Sequence, residues 1–304
     1  MPGPIPLSDF CAKVLKIYSA AERRASTCQK VEQMLDELCA VLGPDAATDA
    51  LTTTAMATWR GIYGPLRASH TVIGHLSVLR TLCAIAVDEG WLERAPSWKR
   101  LRPKARPLLE QRHWSIAEVR TLLHYLADQP GDWTNCRLYV AVAIAAYTGL
   151  RRDELLCLEW RHVDLAVGII AVVPLPDRDL KTERSYRLVP IPPELHPILE
   201  AWKPLATRIH VLPGVRRKGP WRRAKAGRRP VDQLKAACAT CGIPIGTWQW
   251  LRRSWATHAE SAWFLTDPAI ERVLGNLPSV AKTWYRRADV DNLRAIGQRV
   301  TFRL

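Results

Sequence analysis

The sequence predicts a mainly α-helical chain of two domains, the second carrying a small antiparallel β-sheet (an α+β arrangement). Three observations predict it. Apolar residues recur at helical spacing through most of the 304 residues. A stretch rich in arginine and proline, residues 97–107, breaks that pattern. Only between Gly168 and Ile191 does the period shorten to that of strands.

In the first domain, residues 1–107, Ser26 and Thr27 stand where a cap belongs. The helix they would open carries Val31, Met34, Leu35, Leu38 and Val41 at helical spacing, and Gly43-Pro44 ends it. A longer helix is expected from Thr71 to Val87, with Ile73, Leu76, Leu79, Leu82 and Ile85 on one stripe and Gly90 as its stop. No β-branched alternation interrupts these patterns, so this domain is expected to be all-helical. Residues 97–107 hold Lys99, Arg100, Arg102, Lys104 and Arg106 with two prolines, which favours an extended basic linker able to lie along a nucleic-acid backbone.

The second domain spans 108–304. Ser115 followed by Glu118 is a capping-box pattern ahead of Val119, Leu122 and Leu123. Leu138–Tyr147 reads as a buried helix ending at Gly149, followed by an amphipathic helix with Leu155, Leu156 and Leu158. Gly168–Val173 and Ser185–Ile191 read as two strands flanking a polar segment, 176–184. From Pro193 onward the pattern is helical again. It is broken by residues 216–229, where eight of fourteen are basic, among them Arg216, Arg217, Lys218, Arg222, Arg223, Arg228 and Arg229. A run of that density is expected to touch phosphates if the chain binds nucleic acid.

Composition narrows the partners. Hydrophobic residues make up 48%, which excludes a disordered chain. The net charge of +15 and a pI of about 9.8 point to a polyanionic partner, and double-stranded DNA is expected. No lysine-rich amphipathic helix suggests a membrane surface, and no apolar run approaches the roughly 20 residues of a membrane span. The first ten residues lack a basic region followed by an apolar run, so no secretory leader is expected and the protein is placed in the cytoplasm, at the nucleoid. Eight scattered cysteines fit reduced thiols. The pair Cys238/Cys241 has no second Cys or His pair nearby, so no metal is expected, and neither a cofactor nor a small-molecule substrate is indicated.

Four segments, in order, carry a resemblance. Thr148-Gly-Leu-Arg-Arg-Asp-Glu-Leu-Leu-Cys-Leu-Glu-Trp160 is followed by Lys181-Thr182 with Arg187-Leu-Val-Pro-Ile191. Leu251-Arg-Arg-Ser-Trp-Ala-Thr-His258 comes next, and then Leu274-Gly-Asn with Tyr285 nine residues after Asn276. They resemble the TGLRxxELLxLxW, KTxxxxRxVPL, HxLRRTFATH and LGHxxxxxTxxY motifs of the tyrosine recombinases (phage integrases). Residues 1–107 also resemble, more weakly, that family's helical core-binding domain. The resemblance implies two lobes forming a clamp around duplex DNA, the second being the catalytic domain. It implies a site-specific recombinase that cuts and rejoins DNA through a 3′-phosphotyrosine, acting as a homotetramer on paired sites.

The chemistry accounts for the residue types. Charge developing on the phosphorane needs cationic hydrogen-bond donors, and guanidinium forks match two phosphate oxygens at once. By the resemblance Arg151 and Arg252 clamp the phosphate, Lys181 protonates the leaving 5′ hydroxyl, Tyr285 is the nucleophile, and Glu154 is a structural carboxylate beside the first arginine. Two positions depart from the family: Gln249 and Asn276 stand where it usually has His and His or Trp. Neither amide takes a proton near pH 7, but both can donate a hydrogen bond to a phosphate oxygen. His258, six residues beyond Arg252, lies about 240° round the helix and is not expected to substitute. The segment Arg286–Leu304 has the length to dock on a neighbouring subunit, and nothing ahead of the helical domain is expected to form a separate arm-binding module. Two other readings stay open: a DNA-binding module that keeps this fold without the chemistry, and a helical interaction protein or RNA binder using its 13 tryptophans.

Overall fold

In the computed structural model the described residues are 3–21, 23, 25–99, 101–103, 112–129, 131–174, 186–214, 219–221, 229–275 and 290–302. The chain divides into two compact units, residues 1–109 and 110–304.

The first unit consists of α1 (Leu7–Ala20), α2 (Ala25–Leu42), a 3-10 turn (Thr48–Ala50), α3 (Thr53–Tyr63) and α4 (Ser69–Asp88). Its core joins Phe10 and Val14 of α1, Met34 and Leu38 of α2, Met56 and Trp59 of α3, and Leu79 and Leu82 of α4. Removing such side chains from water is the main stabilising force here. Because α2 begins at Ala25, Ser26 and Thr27 lie within its first turn instead of capping it. The buried face of α4 is Val72, His75, Leu76, Leu79, Leu82, Cys83 and Ala86, so Leu76, Leu79 and Leu82 of the expected stripe are buried, while its ends Ile73 and Ile85 are only half-buried. Steps of three residues drift around a helix, so Ile85 ends about 120° from Ile73. Contrary to expectation, α4 is long and apolar enough to cross a membrane by length and composition. Its apolar stripe instead packs into the core of this unit.

The second unit is built around α6 (Trp133–Thr148), buried at every position from Arg137 to Thr148 except Tyr139. Around it lie α5 (Ile116–Ala127), α7 (Arg152–Leu156), α8 (His196–Trp202), α9 (Pro230–Thr240), α10 (Trp248–Ser261), α11 (Asp267–Leu274) and α12 (Val290–Arg299). The expected capping box opens α5: the Ser115 hydroxyl accepts from the Glu118 backbone N–H at 3.2 Å, and Glu118 accepts from the Ser115 backbone N–H at 2.7 Å. The helix expected to hold Leu155, Leu156 and Leu158 is a single short turn, α7, and Leu158 lies beyond it. Its position is fixed from outside, since Val211 N–H donates to the Leu158 carbonyl at 2.9 Å.

The sheet has three antiparallel strands where two were expected. β1 (Val163–Asp164) pairs with β2 (Ile169–Val172), and β2 pairs with β3 (Arg187–Pro190). Ile170 faces both Val163 and Val189 in register, and that side is the buried one. The alternation of β3 puts Arg187 on the same inward side as Val189. Beyond the sheet, Arg137 is clasped between the Trp133 and Trp221 rings, at 4.5 and 4.0 Å from their centroids, and donates to the Pro213 carbonyl at 2.8 Å. These contacts fix Pro213 and Trp221 to α6. The CxxC cysteines sit at the end of α9, and burial pushes the Cys238 thiol up to about 11. It is therefore protonated and poorly nucleophilic at neutral pH.

Candidate active site

The site forms where four chain segments meet: the α6–α7 turn, the start of β3, the middle of α10 and the end of α11. The first turn depends on Gly149, which closes α6 with φ +62. A side chain there would meet Leu274 at 2.8 Å and Trp255 at 3.2 Å, so the tight approach of α6, α10 and α11 requires glycine. Arg151 then stands at the N-terminus of α7, with Glu154 in its first turn.

Glu154 organises the cluster. Its carboxylate accepts from the Arg151 backbone N–H at 2.8 Å and from Arg151 Nη1 at 2.9 Å. It also accepts from Arg187 Nη2 at 2.7 Å and Nη1 at 3.1 Å, a two-toothed contact with a side chain only 4% exposed. Burial alone would raise the Glu154 carboxyl. The hydrogen bonds and charge of Arg187, joined by those of Arg151, outweigh it and hold the group at about 2.

These two arginines and Arg252 grasp the end of α11. Arg187 Nε donates to the Val273 carbonyl at 2.6 Å, Arg252 Nη2 to Leu274 at 2.7 Å and Arg151 Nη2 to Gly275 at 3.3 Å. Arg252 Nη1 also reaches the Gly149 carbonyl at 2.7 Å. The last carbonyls of a helix lack partners within it and carry partial negative charge, so guanidinium groups there satisfy and stabilise them. Gly275, with φ +64, packs where a side chain would come within 3.0 Å of Arg187. Ten positions further along the chain is Tyr285.

Among the described residues this cluster brings three guanidiniums together with one carboxylate. Burial, then the like charges of Arg151 and Arg187, push the Arg252 guanidinium down to about 9, so it remains charged at neutral pH. An excess of partly buried positive charge is relieved by an anion, and Arg151, with 35% of its side chain exposed, is the member open to one.

The low value at Glu154 has a sign that can be tested. The folded carboxyl titrates below its usual 4.5, so its stabilisation is complete above pH 4.5 and is lost as pH falls toward 2. A drop from 4.5 to about 2 corresponds to about 3 kcal/mol. Urea midpoints recorded between pH 5 and 2.5 are expected to fall more steeply for the native chain than for Glu154→Gln. Parallel curves would show that this carboxylate is not the group responsible.

Of the residues anticipated as catalytic, Arg151 and Arg252 both reach carbonyls at the end of α11. Gln249 is exposed one turn before Arg252, on the same side of α10. Lys181, Asn276 and Tyr285 lie outside the described residues. His258 is turned away, as expected, with Nε2 2.9 Å from the Trp114 carbonyl. Of the anticipated DNA-contacting groups, Lys99 and Arg102 are exposed in the first unit. Arg229 engages Asp232 through two contacts of 2.9 and 3.1 Å. Arg100, Lys104, Arg106, Arg216, Arg217, Lys218, Arg222, Arg223 and Arg228 lie outside the described residues.

Sequence reasoning gave Arg187 no role, although a single arginine in an otherwise apolar strand was a readable signal. Residues 290–302 pack on their own unit. Phe302 is buried in its own unit, edge-on to Tyr147 and Trp263 at 5.1 and 5.6 Å, and Trp263 donates to the Thr301 carbonyl at 2.9 Å. Glu194 anchors the same end, accepting from Thr301 and Tyr147.

Residues 115–211 match the Phage integrase family. A shufflon-specific DNA recombinase of Escherichia coli is 31% identical over 165 residues, a match that spans 49% of this chain and 41% of that protein. Among solved structures, the Tn1549 transposon integrase in complex with a circular intermediate DNA aligns with a TM-score of 0.71 and 15% identity, over 96% of this chain and 98% of that one. A lambda integrase dimer bound to a COC' core site aligns at 0.67 with 16% identity, over 93% of this chain and 99% of that one. At such identities the structural matches speak for the fold.

Proposed function

We infer the activity of this chain from the family to which it belongs, the phage integrases or tyrosine recombinases. It acts as a site-specific DNA recombinase on double-stranded DNA. The observation that carries the reading is the convergence of Arg151 and Arg252, with Arg187 behind them, around a single carboxylate at the end of α11. That arrangement supplies what a phosphodiester in the transition state requires: fixed positive donors in a site that excludes much of the water.

In this reading the Tyr285 phenol gives its proton to solvent water as its oxygen attacks the phosphorus of one strand. The bond to the 5′ oxygen breaks, Lys181 gives that oxygen its proton, and a 3′-phosphotyrosine remains. Attack by a 5′ hydroxyl reverses the step, so rejoining conserves the phosphoester without ATP. Gln249 and Asn276 serve as hydrogen-bond donors to the phosphate and not as bases. The first unit is a core-binding domain, and the basic segments 97–107 and 216–229 follow the DNA backbone. Assembly is as a homotetramer on paired sites, and the DNA substrate places the protein at the nucleoid.

A duplex nicked beside the cleavage point, drawn from DNA flanking the coding sequence, tests the chemistry. Native chain is expected to form a covalent protein–DNA adduct, and Tyr285→Phe to bind the duplex equally but form none. Tight binding by the native chain with no adduct would reduce it to a DNA-binding module with this fold, a reading that the glutamine at position 249 favours.

A further inference from the structure

In the first unit α1 and α2 form an antiparallel pair whose register is fixed at its open end. The Leu7 N–H donates to the Ala46 carbonyl at 2.8 Å, and the Ser8 N–H to the Pro44 carbonyl at 3.0 Å. About one turn inside that end, Cys11 of α1 meets Cys39 of α2, with the two sulfurs 3.6 Å apart. Either thiol can donate its hydrogen to the other. Both are half-buried against the apolar core of the unit, so each keeps some access to solvent. Other thiols are aimed differently: Cys28 donates to the Arg23 carbonyl and Cys241 to the Cys238 carbonyl, each at 3.6 Å. Cys83, Cys157 and Cys238 are buried.

A disulfide holds its sulfurs about 2.05 Å apart, so this pair has roughly 1.5 Å to close, a distance on the scale of a side-chain rotation. We propose that Cys11 and Cys39 are a redox site, closed to a disulfide by hydrogen peroxide and reopened by thiol reductants. The Cys39 thiolate attacks one peroxide oxygen, the O–O bond breaks, and a sulfenic acid and one water result. The Cys11 sulfur then attacks the Cys39 sulfur. The S–O bond breaks, and the departing hydroxide takes the Cys11 proton and leaves as a second water. Two thiols are oxidised to one disulfide, and one peroxide is reduced to two waters. Burial, then the hydrogen bond with Cys39, pushes the Cys11 thiol up to about 12, which suits it to the second, contact-driven step. The same protonation makes the pair slow toward mild oxidants, so in a reducing cytoplasm it rests open. Linking positions 28 apart removes freedom from the unfolded chain and thereby stabilises α1 and α2. The assignment owes nothing to the DNA-binding reading and stands or falls apart from it.

The test uses the full reduced chain, exposed to hydrogen peroxide over a time course and quenched with a thiol-alkylating agent. A non-reducing peptide map is expected to show one cross-link, joining the peptides of Cys11 and Cys39, lost again on treatment with dithiothreitol. Cys238 and Cys241 are expected to stay alkylatable, although they are far closer in sequence. In urea the Cys11–Cys39 link should form much more slowly, because the folded register no longer holds the sulfurs together. Cys11→Ser is expected to leave a Cys39 sulfenic acid that dimedone traps, whereas Cys39→Ser leaves Cys11 largely unoxidised. Amide hydrogen exchange in α1 and α2 should slow by about tenfold or more once the link closes, with exchange in α10 unchanged. Cys11 and Cys39 both still alkylatable after other thiols have oxidised would overturn the assignment. So would a link that forms as fast in urea as in the folded chain, since proximity in the fold would then play no part. Neither result depends on how the variants fold, because both are read on the native sequence.

Discussion

Arg187→Met is expected to destabilise the second unit by about 3–5 kcal/mol, the range for removing one partner of a buried ion pair. Methionine fills much of the volume but leaves Glu154 without the contacts of 2.7 and 3.1 Å that offset its desolvation, and leaves the Val273 carbonyl without its donor. Urea unfolding followed by tryptophan fluorescence would register the change as a lower midpoint at unchanged slope. Adding Glu154→Gln to Arg187→Met should recover part of the loss, because the stranded charge is then gone. A midpoint shift worth less than about 1 kcal/mol in the single variant would contradict a buried, paired arginine at this position.

The second large effect concerns rate. Arg151→Gln is expected to slow covalent adduct formation by about 10²–10³, or about 2.7–4 kcal/mol of barrier, the range for loss of one preorganised donor. Duplex affinity should change far less, since many backbone contacts share it. Stability should also change little, as Arg151 is the most exposed of the three arginines and its backbone N–H still donates to Glu154. Single-turnover trapping on the nicked duplex, beside a binding isotherm, separates the outcomes. An adduct rate within a few-fold of native would remove Arg151 from the phosphate clamp.

Much of the architecture was readable from local chemistry. The Ser115–Glu118 cap, the wholly apolar run of α6 and its stop at Gly149 are short-range features, and each emerged where the pattern put it. The α4 boundaries were nearly right and Leu76, Leu79 and Leu82 of the expected stripe are buried, but its ends Ile73 and Ile85 are only half-buried, because which side of a helix is buried depends on what packs there. The third strand escaped notice, since β1 is two residues long and too brief to show a period.

The order and spacing of four short motifs were enough to show a resemblance to the phage integrases and to select Arg151, Arg252 and Glu154 as residues that belong together. Which partners they take was settled by folding alone. Glu154 could pair with Arg187, thirty-three positions away, only once the sheet turned β3 inward beside α7. The three arginines came to share the α11 carbonyls only through the close approach of α6, α10 and α11 that Gly149 permits. Charge and spacing are written along the chain, whereas desolvation arises when distant segments exclude water from one another, and it is desolvation that gives a carboxylate and three cations their strength here.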